Sequence, residues 1–254
     1  LNDAGLNAKF YSALSQCEYS FGYFDQSIET ASAAIEFAKA TGNMEYAYWA
    51  YIFKLWSHVW IAKFEKVHDL RNEIKRLLET SFNLQLYIHA FGTGSMAYNE
   101  MGQFQNAIKA GNEALKIAKK YSDNGLTIQT LMFIAWANLL SGDANKAFEY
   151  AKTGLDLAQN PRDKILAQAG VAWSLCHTGE PQKGIEILLN IIPMLKAARY
   201  QSFLITTYYF LAEGYWLARD YNNASDTLQI LLDLAERHNM KNRIGFAHYL
   251  LCEI

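Results

Sequence analysis

The chain has 254 residues, 51% of them apolar, with 23 basic against 25 acidic side chains. That length suits one large domain or two small ones, and the apolar share can build a sizeable core. Only three prolines argue against a loop-rich all-β protein, and the balanced charge excludes the electrostatic footprint of direct nucleic-acid binding.

From the N-terminus, an aromatic-rich helix ends at "FGYFDQSI" (21–28), and a second helix closes at "TGN" (41–43). The next stretch, "YWAYIFKLWSHVWIAKF" (48–64), holds three of the six tryptophans. Lys54, His58 and Lys63 interrupt it, and a membrane span needs about 20 mostly apolar residues, so it reads as a helix of the fold with no membrane role. Further along, "IAKFEKVH" (61–68), "MGQFQNAI" (101–108), "SGDANKAF" (141–148), "TGEPQKGI" (178–185) and "ARDYNNAS" (218–225) repeat the first turn. Their landmark residues are Gly22, Ala62, Gly102, Gly142, Gly179 and Arg219, spaced by 40, 40, 40, 37 and 40. Such regularity marks an internal repeat.

Each unit reads as two helices, the first rich in aromatics and the second amphipathic, as in "QNAIKAGNEALKIAKKY" (105–121). Second turns are expected at "TGN", "SDNG" (122–125), "QNPRD" (159–163) and "RHNMKN" (237–242), closed by Gly or Asn in the left-handed conformation. The repeats span about 8–43, 44–83, 84–124, 125–161, 162–201 and 202–241, with a half repeat at 242–254. A solenoid ending on a half repeat, and a first residue that is Leu rather than Met, read as a piece of a longer chain. Pro193 is expected to kink the second helix of the fifth repeat.

The pattern resembles the tetratricopeptide-repeat family. It is clearest as Ser95, Tyr98, Gly102, Phe104, Ala107 and Ala114, and recurs as Ala135, Gly142, Ala147 and as Ala212, Tyr215, Tyr221, Ala224. The resemblance implies an all-α, right-handed α-α superhelix of six helix pairs plus a final helix, in a single domain over 1–254. Repeats of about forty residues, longer than the family's usual unit, are similar to the helical sensor regions of bacterial maltose-regulator-like ATPase activators and of some nucleotide cyclases. Repeat 2 departs from the pattern, with Ala62 at the turn and Val67 where the small residue belongs. Ala107, Ala147 and Ala224 are small enough for close helix approach, and Phe24, Phe64, Phe104 and Tyr221 are expected to fill the gap beside the turn.

The first helices carry two stripes. Tyr51, Leu55, Ser95, Ala135, Ala172 and Ala212 share one face and form the packing seam. His58 belongs to it as a core histidine. The other stripe holds all six tryptophans and corresponds to the concave groove of the family. Candidate groove residues for a ligand or partner are Trp49, Trp56, Trp60, His89, Met96, Glu100, Trp136, Trp173, His177, Tyr209, Glu213 and Trp216. Aromatics in a contiguous stripe point to a partner surface, and the four ionisable members could orient a ligand.

Catalytic signatures are missing: there is no HExxH, GxSxG, Walker loop or GxGxxG. "AFGTGSMAY" (90–98) reads as a close helix contact rather than a phosphate cradle. The six histidines lack metal-ligand spacing, and Cys17, Cys176 and Cys252 lack CxxC spacing, as expected for buried thiols in a reducing cytoplasm. The basic clamp for a C-terminal carboxylate known in the family is unmatched, because Ser12, Gln16, Phe53, His89 and Thr93 stand there. The expectation is a cytoplasmic, non-catalytic regulatory module without cofactor or metal, serving signalling or transcriptional control. It would hold a protein or peptide partner in the aromatic groove. A sugar-like small effector, or homo-oligomerisation through the groove, are the alternatives.

Overall fold

A computed structural model describes residues 3–254. Thirteen α-helices follow one another without a strand among the described residues: α1 (Ala4–Ser20), α2 (Phe24–Thr41), α3 (Tyr48–Trp60), α4 (Phe64–Thr80), α5 (Leu84–Glu100), α6 (Phe104–Lys120), α7 (Asn124–Leu140), α8 (Ala144–Leu157), α9 (Pro161–His177), α10 (Pro181–Ala197), α11 (Gln201–Leu217), α12 (Tyr221–Arg237) and α13 (Lys241–Leu251). A single 3-10 turn, Met44–Ala47, precedes α3. No described helix is long and apolar enough to cross a membrane.

The turns explain the period. All six landmark residues have left-handed backbone, with φ from 58° at Ala62 to 92° at Gly142 and Gly179. Each is followed by a backbone N–H bonded to the carbonyl five residues earlier, for example Gln103 to Tyr98 at 2.8 Å and Lys63 to His58 at 2.8 Å. That bond satisfies a carbonyl the ending helix would otherwise leave free. Ala62 and Arg219 adopt this geometry although they are not glycines, so the repeat requires the conformation and glycine is only its cheapest occupant. Side chains then start the next helix: Asn83, Asp123, Asp143 and Asn160 each accept from a backbone N–H three residues on.

Small residues set the helix spacing. Ala107, Ala147 and Ala224 are fully buried between paired helices. "AFGTGSMAY" is a close contact as expected, since a Cβ on Gly92 would lie 2.3 Å from the Phe133 ring. Two expectations need correction. Tyr221 is 46% exposed and does not fill its turn, unlike Phe24 at 1%. The second turns use Gly42, Ser122, Arg199 and Asn239 as left-handed residues, and at "QNPRD" the chain runs extended through Ala158 and Asn160 instead. Pro193 lies inside α10, which continues to Ala197.

The odd-numbered helices contact their odd neighbours from α1 to α13 and form the inner layer of an α-α superhelix. That inner layer curls until its ends meet, because α13 touches α3. Asn239 Nδ2 donates to Asp25 at 2.8 Å, Ser202 Oγ donates to the Tyr19 hydroxyl at 3.4 Å, and Arg243 pairs with Glu100 at 3.2 Å. The concave groove expected from the sequence is thus a closed, largely self-filled axis.

Candidate axial binding site

Four tryptophans converge on this axis. Trp56 stacks on Trp60 with ring centres 6.2 Å apart, and Phe133 leans on Trp56 at 5.5 Å. Trp173 stacks on Phe210 at 4.2 Å and meets Trp136 edge-on at 5.6 Å. Such contacts stabilise aromatic pairs beyond area burial alone. Between the two groups lies a cavity of about 520 Å³, within the usual range for small-ligand sites.

Its walls come from the inner helices: Tyr19 of α1, Trp56 and Trp60 of α3, Met96 of α5, Met132 and Trp136 of α7, Trp173 of α9 and Thr206 and Phe210 of α11. The C-terminal end of α10 supplies Met194, Leu195 and Ala197. Trp56, Trp60, Met96 and Trp173 are buried, whereas Pro161, Arg162, Met194, Ala197 and Ala198 are exposed. The mouth therefore lies where α9 begins and α10 ends.

Beneath the cavity sits a buried charge pair. Arg243 of α13 has no exposed surface, and the Glu100 side chain is only 3% exposed. The rings of Trp60, Trp136, Tyr209 and Phe246 surround the guanidinium at 5.0 to 5.6 Å. Its Nε donates to the Thr206 hydroxyl at 3.4 Å. Trp60, Trp136 and Thr206 are also cavity walls, so Arg243 braces the floor. Burial holds the Glu100 carboxyl above its ordinary range, opposed by Arg243.

Of the twelve candidate groove residues, Trp56, Trp60, Met96, Trp136 and Trp173 line the cavity. The other seven do not. Trp49 is 46% exposed and stacks on Phe53. His89 is buried against Trp56, whose Nε1 donates to His89 Nδ1 at 3.4 Å, and burial lowers its pKa to about 4. Glu100 is engaged by Arg243. Glu213 accepts from Trp173 Nε1 and lies 3.2 Å from His177 Nε2. Tyr209 packs on Phe246 and faces Arg243, and Trp216 is half-buried against the core. Tyr19, Phe133, Arg162, Tyr200, Phe210 and Arg243 were not among the candidates. Tyr19, Phe133 and Phe210 lie on the inner helices, but Arg162 and Tyr200 sit at helix starts, outside the periodic pattern. Arg243 lies in α13, after the last landmark against which an offset can be counted.

Burial pushes the Cys176 thiol up to about 12, leaving it a poor nucleophile at neutral pH. Cys17 and Cys252 are exposed free thiols, against the expectation of burial. No group of three metal-ligating side chains occurs among the described residues.

Residues 95–160 match the family model of the tetratricopeptide repeat. No curated protein matches the sequence. Among solved structures, the apo form of RapI is similar over 95% of this chain and 87% of its own length, with 14% identity and a TM-score of 0.73. NprR in complex with its cognate peptide NprX is similar over 90% of this chain and 71% of its own, with 15% identity and a TM-score of 0.61. A signal-transduction ATPase with a tetratricopeptide-repeat sensor from Pyrococcus horikoshii is similar over 95% of this chain but 39% of that longer protein, with 19% identity and a TM-score of 0.55. Residues 95–160 carry the sequence pattern of the tetratricopeptide repeat, and the described chain as a whole is an all-α superhelix of long helix pairs similar in fold to these repeat proteins.

Proposed function

We propose that this chain is a non-catalytic regulatory module that takes a short, mostly apolar peptide into its axial cavity. The observation that carries the reading is the cavity itself. Four of the six tryptophans surround about 520 Å³ of space whose exposed lining residues lie where α9 begins and α10 ends. An enclosed space of this kind suits a few anchored side chains rather than a folded partner laid in an open groove. The similarity in fold to NprR, a protein solved with its cognate peptide, supports the same use.

The effect on a downstream process would follow from closure. A ligand that presses on Trp60, Trp136 or Thr206 touches three residues that also hold Arg243, and Arg243 holds α13. A ligand with different affinity for the closed and opened superhelix shifts that equilibrium. A small apolar effector is the second reading, favoured by the cavity volume. Signalling or transcriptional roles, and cytoplasmic residence, belong to this proposal as well.

The test is tryptophan emission during titration with a panel of short apolar peptides, on the native chain and on Trp136→Ala and Trp173→Ala. Binding that weakens about tenfold or more in the variants supports the reading. Equal binding by all three proteins defeats it.

A further inference from the structure

The cavity wall is chemically lopsided. Among the described residues that line it, Arg162 alone is charged and none is a carboxylate. Arg162 is exposed at the mouth, in the first turn of α9. Among the described residues, no carboxylate lies within ion-pair distance of it. The nearby acid, Asp163, is buried and engaged instead by Asn160, whose Nδ2 donates to it at 2.6 Å. The Arg162 charge also adds to burial in lowering the pKa of His89 of α5. The other polar side chains of the wall are neutral, the Gln129 amide and the hydroxyls of Tyr19, Ser174, Tyr200, Ser202 and Thr206. Tyr19 accepts from Trp60 Nε1 at 3.1 Å, and Ser202 and Thr206 stand beside it.

We infer that the preferred ligand is an apolar body ending in one anionic group, seated with the body among the tryptophans and the anion at Arg162 in the mouth. This rests on the proposed peptide-binding role and narrows it, because the anionic end of a short apolar peptide is its free C-terminal carboxylate. A single guanidinium at the rim of an apolar slot rewards one negative group in one orientation. A positive terminus meets an unopposed cation there, and a neutral terminus leaves the guanidinium without a partner. A fatty or aromatic carboxylic acid would present the same chemistry from another source.

Three probe pairs separate the outcomes. The first is anilinonaphthalene sulfonate against its uncharged relative N-phenyl-1-naphthylamine, both followed by fluorescence. The second is an N-acetylated tetrapeptide of leucine and phenylalanine as free acid and as amide. The third is octanoate against octanamide. The expected result is that each anionic member binds more tightly than its neutral partner. Arg162→Ala should weaken the anionic members about three- to tenfold, leave the neutral ones unchanged, and be rescued in part by Arg162→Lys. Because Arg162 is exposed, the melting temperature of these variants should stay at the native value. Equal binding of both members, insensitive to Arg162→Ala, overturns the inference while leaving the cavity a binding site. Failure of every probe to bind removes the cavity reading and the inference together. Octanoate binding without the tetrapeptide keeps the anionic end and rejects the peptide source.

Discussion

Replacing Arg243 by Met tests how the superhelix is held closed. The guanidinium is fully buried, pairs with Glu100 at 3.2 Å and is boxed by four aromatic rings. Methionine has comparable reach and keeps much of the apolar packing, but it leaves Glu100 buried without its cation. Breaking a buried pair from one side costs about 3–5 kcal/mol. At roughly 2–4 °C per kcal/mol for a domain of this size, the melting temperature should fall on the order of 10 °C. The loss also depends on pH in a known direction. Burial already raises the Glu100 carboxyl above its ordinary value of 4.5, and removal of Arg243 raises it further. Below that ordinary value the carboxyl is protonated in both folded and unfolded chains, so the variant suffers least there and progressively more as pH rises. Glu100→Leu combined with Arg243→Met removes both charges and should restore stability to near or above the native level. The assay is thermal and urea unfolding followed by circular dichroism at pH 5 and pH 8. A loss under about 1 kcal/mol for Arg243→Met at pH 8, or a double variant as unstable as the single, would refute the closing role of the pair.

Other consequences are open to direct measurement. Ala62 occupies left-handed backbone at φ 58°, so Ala62→Gly should stabilise the chain by about 0.5–1 kcal/mol in urea unfolding, the relief of strain outweighing the added freedom of the unfolded chain. Gly92→Ala should cost about 1–3 kcal/mol in the same assay, because its Cβ would meet the Phe133 ring and push it toward the cavity. His89 is buried with its pKa lowered to about 4, so the neutral ring contributes stability above pH 6.5 that is lost as pH falls through about 4. That difference amounts to roughly 3 kcal/mol, and His89→Gln should flatten this part of the stability–pH curve.

The repeat was readable because its cause is local. A left-handed residue every forty positions, small residues at Ala107, Ala147 and Ala224, and aromatic first helices are all visible in the linear chain. The same offsets brought Trp56, Trp60, Met96, Trp136 and Trp173 to one face, and the cavity collects all five. What the offsets could not show was curvature. Whether a solenoid stays open or closes depends on small rotations accumulated over thirteen helices, and no single residue encodes them. Closure removed His89, Glu100 and Tyr209 from the reach of a ligand and gave them to Trp56 and Arg243. The contact between Asn239 and Asp25 joins residues 214 positions apart, a pairing with no trace in local periodicity. Arg162 and Tyr200 border the mouth from helix starts, where the repeat pattern assigns no facing direction.

The most direct test is to block the mouth without disturbing the axis. Ala197 is exposed and borders the cavity, so Ala197→Trp can cover the opening without overpacking the core. Native mass spectrometry of the chain with a mixture of short apolar peptides then gives a plain comparison. A closed superhelix filled through one mouth predicts one-to-one complexes with the native chain, their loss in Ala197→Trp, and equal melting temperatures for the two proteins. Complexes that persist undiminished in Ala197→Trp, or a native chain that retains no peptide at all, would contradict it.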